Sequence, residues 1–106
     1  MPLDPDALPA ELKTMDAITP RQSEILLGLA ERGMSGTIGN IDTRRVESAL
    51  SATELESRLL ELGFVEGARV EILHQGMVGR DPIAVRVDSV TVAIRRREAM
   101  AISVIR

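Results

Sequence analysis

One histidine supplies all the imidazole chemistry open to this chain of 106 residues. A single His cannot form a His-x-x-x-His metal pair, and it leaves one candidate for acid–base work. His74 shares the parity of Val70 and Ile72 at the end of a predicted strand. That position reads as a partly buried rim side chain. A metal role would need carboxylates such as Glu66 or Asp81 to converge on it. The run from Gly28 to Ser35 has the glycine spacing of a phosphate loop, but Met34 stands where its lysine should be. Gly33-Met34-Ser35-Gly36 fails as a nucleophile elbow, because Thr37 occupies the place of the closing glycine.

The densest charge cluster is Arg95-Arg96-Arg97, preceded in the chain by Arg80-Asp81. Two readings of the triplet stand side by side. It is either a solvated strand end partly offset by Glu98, or a patch that meets an acidic surface or anionic lipid headgroups. Phe64 is open in the same way, between packing at a helix end and an exposed anchor. Phe64, Arg80, Asp81, Arg95, Arg96 and Arg97 are therefore the candidate partner-contact residues. No residue is singled out for catalysis, for a cofactor or as a metal ligand.

Composition removes whole classes of function. The chain has no Cys, Trp or Tyr and one Phe. Thiolate zinc sites, iron–sulfur clusters, thiol nucleophiles and disulfides are excluded. Base-stacking platforms for single strands need aromatics that are not there. Residues 1–35 carry three basic groups against six acids, while residues 36–106 carry ten of each. A neutral body lacks the cationic excess that phosphate binding requires, so nucleic acid is not an expected partner. No stretch approaches the roughly 18 apolar residues of a membrane span, and the acidic N-terminus does not read as a signal peptide. A cytoplasmic protein is the expectation, and the missing thiols fit it.

These side chains need a scaffold, and the chain is long enough for one domain. Residues 1–18, with Pro2, Pro5 and Pro9, read as a flexible acidic extension. Thr19-Pro20-Arg21-Gln22 offers a helix start for an extra helix over 19–32, with Ile25, Leu26 and Leu29 as its apolar stripe. A stronger signal follows. Ser51 and Glu54 form a capping box, Leu50 and Leu55 a hydrophobic staple, and Leu55, Leu59 and Leu62 one apolar face. Gly63 then suits a left-handed helix end, with Phe64 folding back over the last turn.

Strands surround this helix: Ser35–Asp42 before it, then Arg69–His74, and two alternating runs, Ile83–Asp88 and Val90–Arg95, joined as a tight hairpin. One helical turn over Arg97–Ala101 leads into a last strand, Ile102–Ile105. The expected fold is mainly β with one or two helices: a small SH3-like barrel of about five strands, with the capped helix after the first strand. The domain spans 19–106.

The sequence Arg58-Leu-Leu-Glu-Leu-Gly-Phe-Val-Glu-Gly67, then Val70-Glu-Ile72, Gly79-Arg-Asp-Pro-Ile83, Ala93-Ile-Arg95 and Glu98-Ala99, resembles the FeoA family. The resemblance covers residues 33–106. It departs from the family pattern at Glu66-Gly67, where Pro-Gly is usual, at Ser89-Val90 in the hairpin, and in its longer N-terminal extension. It implies a small cytoplasmic, non-enzymatic accessory protein of ferrous iron uptake. Such a protein binds or regulates the FeoB permease through the permease's cytoplasmic portion, which could recruit it to the inner face of the membrane. No resident cofactor is implied beyond a transient ferrous ion contact, and self-association stays open. The alternative is a metal-responsive regulatory domain related to the C-terminal modules of metal-dependent repressors. A polyproline-binding adaptor, suggested by barrel shape alone, lacks the aromatics that line such grooves.

Overall fold

The computed structural model describes residues 23–47 and 50–106. Among them, six strands form one antiparallel sheet: β1 Glu24–Leu26, β2 Ser35–Ile41, β3 Arg69–Gln75, β4 Ile83–Val87, β5 Val90–Ile94 and β6 Ile102–Ile105. Two helices join them, α1 Ala52–Glu61 and the single turn α2 Arg96–Ala99. Short 3₁₀ turns lie at Leu27–Leu29 and Thr43–Arg45. The extension 1–18 and the Thr19–Gln22 helix start fall outside the described residues.

The strand order is β1-β6-β2-β3-β4-β5, so the sheet has two ends and is not closed. The expected mainly β, SH3-like architecture is thus present, with the count of about five strands corrected to six and an opening left between β5 and β1. Its physical reason lies after β5, where the chain leaves the sheet at Arg95. It turns through α2, which packs on the Leu27–Leu29 turn instead of returning β5 to β1. The extra helix expected over 19–32 is also corrected in its described part. Glu24–Leu26 is a strand paired with Ser103–Ile105 of β6, and only Leu27–Leu29 is helical, as a 3₁₀ turn. Long-range pairing overrides a weak helical spacing.

α1 forms where its local signals place it. The Ser51 hydroxyl accepts from the Glu54 amide at 3.1 Å, and the Ser51 amide donates to Glu54 Oε1 at 3.0 Å. At the other end Gly63 takes φ 101°, letting the Phe64 amide reach Leu59 O and the Gly63 amide reach Leu60 O, both at 3.0 Å. These two bonds satisfy carbonyls that the helix end would otherwise leave open, and they turn Phe64 inward. Phe64, Leu55 and Leu59 join Ile38, Val70, Ile72, Ile83, Val85, Ile94, Ile102 and Val104 in one core.

Two bulges set the faces. In β2 the register with β6 shifts between Ile38 and Asn40, leaving Gly39 as the extra residue. In β3 the register with β4 shifts between Ile72 and His74, leaving Leu73 unpaired. An extra residue reverses the parity of everything beyond it. His74 consequently lies opposite Ala84 on the outer face and is exposed, not the partly buried rim residue that parity predicts. Gln75, opposite the buried Ile83, takes the inner direction.

Candidate functional site

The arginine triplet divides by depth. Arg96 is half-buried and donates from its side chain to four acceptors. Nε reaches Arg80 O at 2.7 Å, Nη1 reaches Ala30 O at 2.6 Å and Gly28 O at 3.2 Å, and Nη2 reaches Gln75 Oε1 at 3.1 Å. A planar guanidinium with a fixed fork of donors suits this task, because its acceptors converge from three separate segments. The side chain fastens the Leu27–Leu29 turn, the end of β3 and the β3–β4 loop together. Its own amide donates to Asp81 Oδ1 at 2.8 Å. Arg95, at the start of α2, has no side-chain cap of its own, so Asp81 performs the capping from the loop.

Arg95 and Arg97 remain exposed on either side of Arg96. With Asp81 they line a shallow pocket of about 250 Å³. Arg80 is exposed as well, at φ 58° in the left-handed region. Among the described residues, the side chains of Arg80, Arg95 and Arg97 make no hydrogen bond or ion pair. Glu98 does not offset them. It faces Arg58 of α1, with Nε and Oε1 3.8 Å apart. The outcome is a rim of three guanidinium groups without side-chain partners, beside the one carboxylate of Asp81, which keeps its charge while Oδ1 accepts an amide.

The sequence candidates thus separate. Arg80, Asp81, Arg95 and Arg97 come together at one end of the sheet. Arg96 lies between them as their anchor. Phe64 is 0% exposed and sits in the core beneath α1, away from any surface. Among the described residues no ion pair joins His74 to Glu66 or Asp81. No group of three or more His, Cys, Asp or Glu side chains gathers among the described residues.

Sequence reasoning passed over two surface features. Met77 and Val78 stand 98% and 88% exposed at the tip of the β3–β4 loop, beside this rim. Two apolar residues between Gly76 and Gly79, with no periodic run to join, were the available signal. The second feature is an apolar hollow lined by Ile41, Leu60 and Val65 and edged by Glu56 and Glu66. Leu60 lies off the Leu55–Leu59–Leu62 face, so helical periodicity gives its apolar side chain no core role. No helix among the described residues is long and apolar enough to cross a membrane.

The fold is that of an SH3-like domain. The FeoA domain model matches residues 25–106, and the chain belongs to the FeoA family, which is associated with ferrous iron transport. Among solved structures, Stenotrophomonas maltophilia FeoA complexed with zinc is 29% identical, with a TM-score of 0.59 over 77% of this chain and 89% of that one. It is described as an SH3 domain protein and put forward as a ferrous iron transport activating factor. FeoA from Chlorobium tepidum is 27% identical, with a TM-score of 0.58 over 76% of this chain and 70% of that one. A manganese-dependent transcriptional repressor shares the fold at 23% identity and a TM-score of 0.63, covering 79% of this chain but 42% of the repressor. No curated protein matches the sequence.

Proposed function

We propose that this protein is a non-enzymatic accessory component of ferrous iron uptake that acts by contact with the cytoplasmic portion of a FeoB-type permease. The family match over residues 25–106 carries the reading. The geometry supports it through Arg80, Arg95 and Arg97, whose guanidinium groups are free to meet carboxylates of a partner. Asp81 and Arg96 hold that rim in place. Phe64 contributes only indirectly, by seating α1. The protein works in the cytoplasm, at the inner face of the membrane where its partner lies. Ferrous ion is cargo in this scheme, met transiently if at all.

Co-purification with the permease in each of its nucleotide states tests the proposal. The expected result is retention that falls at least tenfold when Arg95→Glu and Arg97→Glu are combined. Absence of association in every state would remove the proposal's support. The fold shared with a manganese-dependent repressor favours a second reading, a metal-responsive module. Thermal unfolding with ferrous, manganous and zinc ions separates the two, since a metal that binds the folded module raises its unfolding temperature.

A further inference from the structure

The β3–β4 loop is a protruding knuckle on a fixed base. Its tip is Met77 and Val78, both almost fully exposed, between Gly76 and Gly79. Its base is tied down at three points. The Gly76 amide donates to Pro82 O at 2.8 Å, Asp81 accepts from the Arg96 amide, and Arg80 O accepts from the Arg96 side chain. Beside the base stand Arg80, Arg95 and Arg97, with no side-chain partner among the described residues. Asp81, the one acid in this loop, is engaged as a cap.

We infer that this knuckle is the protein's contact with an anionic bilayer surface. Met77 and Val78 enter the boundary between headgroups and acyl chains, and the three guanidinium groups lie at the level of the phosphates. The order of polarity, apolar at the tip and cationic at the collar, matches the gradient of an anionic membrane surface. Arginine stems also tolerate that boundary, because the aliphatic part can lie in the apolar layer with the charge above it. A protein surface is the less favoured occupant of the apolar tip, whereas the guanidinium collar suits phosphates and a partner's carboxylates alike. An acidic protein face would engage the arginines yet give no reason for two adjacent apolar side chains to project past them. The inference deepens the proposed function by adding the membrane side to a contact with a membrane protein. It is tested on vesicles that contain no permease, so each can fail without the other.

The experiment is flotation of the full-length chain with two kinds of vesicle. One is phosphatidylcholine alone, and the other is phosphatidylcholine mixed in equal parts with phosphatidylglycerol. The chain should float with the anionic vesicles and not the neutral ones, and added salt should weaken the association. Combining Arg95→Gln with Arg97→Gln should lower partitioning about 30-fold, which corresponds to about 1 kcal/mol for each arginine near the surface. Combining Met77→Ser with Val78→Ser should lower it about tenfold by removing the apolar insertion without changing the charge. All four side chains are exposed, and circular dichroism with thermal unfolding verifies that the variants fold. Failure of the native chain to float with anionic vesicles overturns the inference, as does flotation of either double variant at the native level. Loss of permease binding in the same variants, without vesicle binding by the native chain, would reassign the knuckle to a protein contact.

Discussion

The Asp81 carboxylate accepts the backbone amide of Arg96 at 2.8 Å, while the Arg96 guanidinium returns to the carbonyl of Arg80 at 2.7 Å. The two residues therefore fasten the β3–β4 loop to α2 in both directions. Of the remaining donors of the same guanidinium, Nη1 holds the chain at Gly28 and Ala30 and Nη2 holds Gln75. One arginine thus joins segments that are far apart in sequence, at the end of the sheet where the candidate contact lies.

Arg96→Ala should cost about 2–4 kcal/mol of folding stability, because it leaves half-buried carbonyls without donors. Arg96→Lys should recover only part of this, since an ammonium cannot span acceptors spread across a planar fork. Urea unfolding of both variants measures the difference. A loss below about 0.5 kcal/mol for the alanine variant, the usual range for a plain surface substitution, would show that the bonds contribute little.

Gly28 permits the close approach of the Leu27–Leu29 turn to α2. A Cβ there would run into the carbonyl oxygen of Arg96 and lie 2.7 Å from the Met100 sulfur. The backbone contact cannot be relieved by rotating a side chain. Gly28→Ala should destabilise by about 1–3 kcal/mol, as overpacking does, despite the higher intrinsic helix propensity of alanine. Thermal unfolding reads the sign directly: stabilisation would mean that the two segments separate at little cost.

Ser51→Ala removes the hydroxyl that accepts from the Glu54 amide and should cost about 1 kcal/mol. Ser51→Asp should be close to neutral, because a carboxylate also accepts from that amide and suits the positive end of the helix. Urea midpoints at constant slope give the comparison.

Asp42 caps the Thr43–Arg45 turn, accepting from the Arg44 amide at 3.0 Å and from Arg44 Nε at 2.9 Å. Hydrogen bonds from the Arg44 side chain, then from its amide, lower the carboxyl pKa from 3.8 to about 2. A depressed folded-state pKa contributes stability that is present above the unfolded value and lost as pH falls through the folded one. The pair should therefore support the fold down to about pH 4 and lose its effect between there and pH 2. An NMR titration of the Asp42 carboxyl carbon should place its midpoint near 2, and Arg44→Ala should return it toward 3.8. An unchanged midpoint in that variant would rule out the side-chain bonds as the cause.

What could be read from the residues follows from how local each signal is. The α1 helix depends on Ser51, Glu54 and Gly63, all within thirteen positions, and its ends form where those residues stand. The β4–β5 hairpin is equally local, with Asp88-Ser89 as the two-residue turn between Val87 and Val90. β1 was hidden because Ile25, Leu26 and Leu29 have helical spacing, and the pairing that overrides it comes from β6. The bulge at Leu73 leaves no compositional mark, so the facing of His74 and Gln75 could not be foreseen. The same holds for the arginine triplet, in which three identical residues take different roles. The capping bond from Asp81 and the turn of α2 decide that Arg96 points inward.

The strand order has a consequence for how the molecule comes into being on the ribosome. β6 lies between β1 and β2, and β1 has no other neighbour in the sheet. Glu24 and Ser103, whose side chains meet at 3.0 Å, are 79 positions apart. β1 must therefore wait, unpaired, until every other strand of this domain has been translated. The β2–β3–β4–β5 portion pairs with nearer neighbours and can assemble first, and the last strand then closes the gap once it has been translated.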